Sequence, residues 1–292
     1  MYNFCMKKLI ATIITSIMLM PCGYSFQCPK VFKCDIFNSD IRGVKSTLNS
    51  QVRYANKTNF DKFISTYDES YLNSDGFDLN TYSLLVKDLW ETYDKIKYGI
   101  KINDIKFEND KAIVSLVETS YADIPISKEM NGILKSTANS VYILKKINGK
   151  WKVVSDCIND ETTSMLYGDA MNLDISLTAP NNIEQGVEYT ASLEFVPPKD
   201  TFAIASIAKD IVEYPQKQAQ EVFRRLPDDN ILERLFVSNT KNANEYIIAS
   251  IGLTKADVKD LSIKLSLSGF GYKIIRVNVK QNKTEEGNNV KE

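Results

Sequence analysis

Histidine is missing altogether from this 292-residue chain. Without it the chain can build neither a Ser-His-Asp nor a Cys-His nucleophile pair, nor a zinc site with imidazole ligands. Acid–base work would fall to a carboxyl, Tyr, Lys or Cys whose pKa burial has moved. The expectation is therefore a protein with no catalytic residues, no metal and no cofactor. An excess of one charge is missing as well. Lys and Arg number 36 against 37 Asp and Glu, a net −1, so no basic field gathers phosphates and nucleic acid is not an expected partner. There is no Gly-rich phosphate loop and no nucleophile elbow.

What is present begins with an address. Lys7 and Lys8 precede an apolar run over residues 9–20, closed by Pro21. A basic start before about a dozen apolar residues is the pattern of a secretory signal, and the run falls short of the roughly 20 residues that span a bilayer. Gly23 and Ser25 supply small residues for cleavage, so residues 1–25 read as signal peptide and the mature chain starts near Phe26. An uncleaved anchor and lipidation at Cys22 are the alternatives. Export places the protein in the periplasm, the envelope or the medium, where cysteines oxidise. Cys28 and Cys34 can then close a short loop worth about 2 kcal/mol. A bridge from either to Cys157, or free thiols, stay open.

Hydrophobic periodicity divides the remainder. A short segment over 26–35 leads to three helical patterns: residues 40–54 (Ile41, Val44, Leu48, Val52), a shorter one after Thr58, and residues 79–96. From residue 100 the period becomes two. Asn148-Gly149, between alternating apolar residues, is the strongest hairpin signal, and a two-residue loop sets Leu144 opposite Val153 and Lys146 opposite Trp151. That puts Tyr142, Leu144, Trp151 and Val153 on one face. Beyond Gly168 the segments are short, alternating and bounded by turns, the spacing of an antiparallel sandwich. A polar tail over 281–292 lacks apolar anchors.

Helices followed by antiparallel strands, ending in Asn148-Gly149-Lys150-Trp151-Lys152-Val153-Val154, resemble the NTF2-like (SnoaL-like) cone fold. The fold class is therefore α+β: an NTF2-like cone over 36–167, followed by an immunoglobulin-like β-sandwich over 168–280. The resemblance implies a pocket between helices and curved sheet, and dimerisation through the open sheet face. Tyr67, Tyr71, Trp90, Tyr93, Tyr121, Tyr142 and Trp151 are the candidate wall of that pocket, suited to a small apolar ligand. The competing reading of the same rings is core. Asp68, Glu69, Glu118, Asp123 and Asp156 read as solvated loop carboxylates.

Two further motifs are weaker. Asn73-Ser74-Asp75-Gly76 has the middle of a calcium loop, but that register puts Tyr71 and Tyr82 where the first and last acids belong. Lys217 with Arg224-Arg225 makes a small basic face on an amphipathic stretch over 216–225, read as a surface helix. The functional expectation is an exported, non-catalytic binding or scaffold protein of the envelope, with an envelope protein or glycan as partner. An isomerase or dehydratase working with Tyr and carboxyl groups is the alternative.

Overall fold

In the computed structural model, residues 34–280 are described apart from 94, 129, 242 and 260–261, and the side chains at 34–38 and 257–263 are outside the description. The proposed signal, the Cys28–Cys34 bridge and the tail all lie outside the described residues. Among the described residues three helices come first: α1 (Cys34–Ala55), α2 (Phe60–Ile64) and α3 (Leu79–Thr92). On α1, Val44, Leu48 and Gln51 are buried while Lys45 and Ser46 are exposed, as a 3.6-residue period requires. Asn59 rather than Thr58 caps α2, accepting from the Lys62 amide, and Asp78 caps α3 by accepting from Thr81. Helix α3 stops at Thr92, four residues before the predicted end. The next residue, Tyr93, is extended, and Lys95 has a positive φ, so the chain has already turned toward the sheet.

Four long antiparallel strands follow: β1 (Lys97–Glu108), β2 (Lys111–Asp123), β3 (Gly132–Ile147) and β4 (Lys150–Gly168). The β3–β4 turn is Asn148-Gly149 with φ of 49° and 78°, the type I′ signature, and Leu144 pairs with Val153 and Lys146 with Trp151. Eight later strands follow among the described residues: β5 (Ser176–Thr178), β6 (Asn182–Glu184), β7 (Glu188–Glu194), β8 (Thr201–Ile211), β9 (Arg224–Arg225), β10 (Ile231–Val237), β11 (Glu245–Lys259) and β12 (Ser262–Lys280).

The main sheet does not stop at residue 168. Its order is β1-β2-β3-β4-β12-β11-β8-β9, with β12 antiparallel to β4 from Gly168–Gly269 to Thr162–Ile275. At that join backbones come very close: a Cβ added to Gly168, whose φ is +56°, would sit 2.3 Å from the Ser268 carbonyl oxygen. A three-stranded sheet, β10-β7-β5, packs its Tyr189, Ala191, Leu193 and Phe195 against Ala205, Ile247, Ala249 and Ile251 of the main sheet. The opposite face of β8, β11 and β12 is covered by α3 and the segment around Val212 and Ala219. With both faces covered, residues 244–253 are buried without a break, which is why Tyr246-Ile247-Ile248-Ala249 puts apolar residues on both faces rather than alternating, with Asn244, Glu245 and Ser250 buried beside them.

Two differences from the sequence reading follow from this packing. Strands β11 and β12 are 15 and 19 residues long rather than several short ones, because they pair with each other along the whole of β11, from Glu245–Val277 to Lys259–Ser262. The stretch over 216–225 is not a helix. Its buried Ala219 and Leu226 pin an extended segment along the sheet, and Arg224-Arg225 pairs with β8. The chain is mostly strand, with helices confined to residues before 93 and a single 3-10 turn at Asp169–Asn172 among the described residues.

Candidate functional site

Between the helices and the inner face of β1–β4 lies a cavity of about 120 Å³. Helix α1 contributes Gln51, Val52 and Ala55, α3 contributes Tyr82 to Trp90, and the strands supply Tyr98, Glu118, Leu134, Ala138, Tyr142, Glu161 and Thr163. Exposed Thr119 and half-buried Gly99 mark the side where the cavity nears solvent. Its inward positions follow strand alternation. On β2, Ala112, Val114 and Leu116 are buried core, and Glu118 is next in phase, so the pleat carries a carboxyl to the cavity wall.

The polar ends of the wall bond mostly to one another. The Tyr67 hydroxyl donates to that of Tyr82 at 3.0 Å, and the Trp90 indole N–H donates to the Tyr98 hydroxyl at 2.9 Å. Tyr142 donates to Glu118 Oε2 at 3.0 Å. Glu161 accepts from the Tyr246 hydroxyl at 3.3 Å and lies beside Thr163, whose hydroxyl donates to Ser136 at 2.8 Å. The Gln51 amide nitrogen, in a residue 5% exposed, has no partner.

Burial governs the charges here. Glu118 keeps some accessible area because it borders the cavity, but burial of its carboxyl pushes its pKa up, against the opposing pull of the Ser140 and Tyr142 hydroxyls. Burial raises Glu161 to about 7; nearby Arg276 opposes the rise, while Asp75 and Glu118 add to it. Arg276 is held at 2.6 Å by Asp75, and both side chains are almost wholly buried. Asn244 also donates to Asp75 at 2.8 Å. This ion pair joins the loop over 73–76 to β12, which is the place in the fold of the Asn-Ser-Asp-Gly motif. Among the described residues, no group of three or more Cys, Asp or Glu could hold a metal ion.

Of the seven aromatic candidates, Tyr67, Trp90 and Tyr142 border the cavity. Tyr71 and Trp151 belong to the same aromatic core without reaching it. Tyr71 stands 4.9 Å, ring to ring, from Tyr67 and donates to Asp156, and Trp151 lies against Gly43 and donates to Asp40. Tyr93 falls in the neighbouring core, its hydroxyl 3.4 Å from Met165 sulfur. Tyr121 is out of phase with Leu116 and Glu118, so it turns outward and bonds to Asp123 at the surface. Among the acids, Glu69 and Asp123 are exposed and Asp68 binds Ser70 near the surface, but Glu118 and Asp156 are not solvated. Tyr82, Tyr98, Gln51 and Glu161 were not singled out by the sequence. The Cys157 thiol lies 3.9 Å from Asn159 Oδ1.

No family model matches the chain, and no curated protein matches it. Among solved structures, Bd1075 of Bdellovibrio bacteriovorus is similar at 15% identity and a TM-score of 0.36. That match covers 43% of this chain, which spans 42% of the Bdellovibrio protein's length. A candidate dehydratase from the NTF2-like family of Streptomyces avermitilis is similar at 12% identity and a TM-score of 0.31, over 41% of this chain and 96% of that one. At such scores neither likeness carries an argument. The layer of helices on a large antiparallel sheet stands on the pairing and packing described above.

Proposed function

We propose that the three helices with β1–β4 form an NTF2-like cone that binds one small organic molecule in the 120 Å³ cavity without turning it over. The observation that carries this reading is the unpartnered, buried Gln51 amide at a wall made mostly of rings and aliphatic groups, with Glu118, Glu161 and a few hydroxyls among them. An apolar pocket with a few convergent polar groups is the usual form of a small-molecule site, and this one is sized for an occupant comparable to benzene. The test is ligand-observed NMR with ring-sized fragments on the purified protein. Binding should appear in the wild type and vanish in Ala138→Leu, which fills the cavity from β3; a fragment set that binds both proteins alike, or neither, sinks the reading.

A second reading is favoured by one pair of groups. Tyr142 within 3.0 Å of Glu118, and Glu161 with its pKa near neutrality on the other side of Ala138 in the same sheet face, are the parts of a proton-transfer site of the isomerase or dehydratase type. A bound molecule recovered from heavy water unchanged and without deuterium would leave simple binding as the function.

Export and an envelope partner belong to the same proposal. Export rests on the pattern of Lys7, Lys8 and the apolar run to Met20. A partner, protein or glycan, is favoured by edge strand β10, where Leu235 and Val237 are 61% and 49% exposed. Mass spectrometry of protein recovered outside the cytoplasm should find an N-terminus near Phe26; an intact Met1 there would remove the cleaved-signal reading.

A further inference from the structure

If the cavity binds a small molecule at all, the charges around it narrow the choice. The wall carries two carboxyls, Glu118 and Glu161, and no Lys or Arg. In the buried layer behind it, the guanidinium of Arg276 is already held by Asp75 at 2.6 Å. Asp75 and Glu161 thus share one guanidinium, and no cation faces Glu118 from the wall. An ionised carboxyl taken out of water without a compensating charge is costly, and a neutral occupant leaves that cost in place. A cation between Glu118 and Glu161 removes it.

The rings point the same way. Tyr67, Tyr82, Trp90, Tyr98 and Tyr142 all border the cavity, and the hydroxyl of Tyr67 is spent on Tyr82, that of Tyr142 on Glu118, and the Trp90 N–H on Tyr98. With those donors committed, Tyr67, Trp90 and Tyr142 have chiefly π-surface to offer, and aromatic rings attract a cation electrostatically within about 6 Å of a centroid. The remaining group is a donor: the Gln51 amide N–H, buried and unpartnered, seeks an acceptor on the occupant. We propose that the cavity holds a small organic ammonium ion bearing an oxygen acceptor, an amino alcohol or a close relative, with the ammonium among the rings and Glu118 and the oxygen toward Gln51.

Choline is a probe of the right size and chemistry, and its uncharged isostere, with a tertiary-butyl group in place of trimethylammonium, isolates the charge. Calorimetry on the full chain should give choline an affinity at least about tenfold tighter than the isostere, the ratio that 1.4 kcal/mol supplies. Glu118→Gln should erase that preference while leaving isostere binding in place, with circular dichroism confirming the fold. Gln51→Leu should weaken choline several-fold and leave tetramethylammonium, which has no oxygen, unaffected. An isostere that binds as well as choline overturns the cation inference and leaves the pocket standing. If neither binds the wild type the cation inference also falls, and the fragment experiment on Ala138→Leu decides the cavity by itself.

Discussion

Glu161 couples the stability of the fold to pH. Its carboxyl is raised from 4.5 to about 7, so between those values the unfolded chain has released a proton that the folded chain still holds. Stability is therefore greatest below pH 4.5 on this account and falls as pH rises to about 7, by roughly 3 kcal/mol for this one group. Urea titrations of wild type and Glu161→Gln at pH 4.5 and 7.5 check it. The variant should gain on the wild type by that amount at the higher pH, and parallel pH slopes would show that Glu161 is ionised at no cost. Surface carboxyls such as the half-buried Asp40 and Asp68 and the exposed Asp78, which their hydrogen bonds hold below the ordinary range, cancel in the difference. Glu118 could have been recognised from the sequence, since it continues the alternation of Ala112, Val114 and Leu116 on β2. Asp156 could not. Buried positions on β4 run Trp151, Val153, then Asp156, Ile158, then Glu161, Thr163, Met165, because register shifts opposite Ile143–Leu144 and Asn139–Ser140 flip the phase twice.

At the scale of elements, the hairpin was the most legible piece. Asn148-Gly149 dictated its turn, and the turn dictated the register. Gly149 sits at φ +78°, where a side chain is strained but has free space around it, so Gly149→Ala should cost about 1 kcal/mol in urea denaturation without altering the fold. A loss near zero would mean that the strands hold the register without help from the turn. The aromatic helices were legible in kind, since Tyr82, Leu85 and Val86 recur at helical spacing and are buried. What sequence reasoning could not assign was the cover over β11. A continuous apolar run says that both faces are buried but not by what, and here the covers come from distant parts of the chain: the β10-β7-β5 sheet on one side and α3 on the other.

At the scale of the molecule, the join between the two halves is both a ladder and an ion pair. Asp75 and Arg276 lie 201 residues apart and meet at 2.6 Å in an environment without solvent. Breaking one side of such a pair leaves a bare buried charge, so Arg276→Met should cost about 3–5 kcal/mol, and adding Asp75→Asn should recover part of it. Equilibrium unfolding of the single and double variants measures both. A single variant as stable as wild type would mean that water reaches the pair. The hydrophobic period changes at residue 168, and the hydrogen bonds of the main sheet cross that point: β4 runs to Gly168 and its neighbour is β12.

That neighbour is the final strand in the described chain, and it is inserted between β4 and β11 rather than added at an edge. Without β12, β4 and β11 would each present an unpaired border, so a chain truncated before residue 262 would carry two such borders open to other chains.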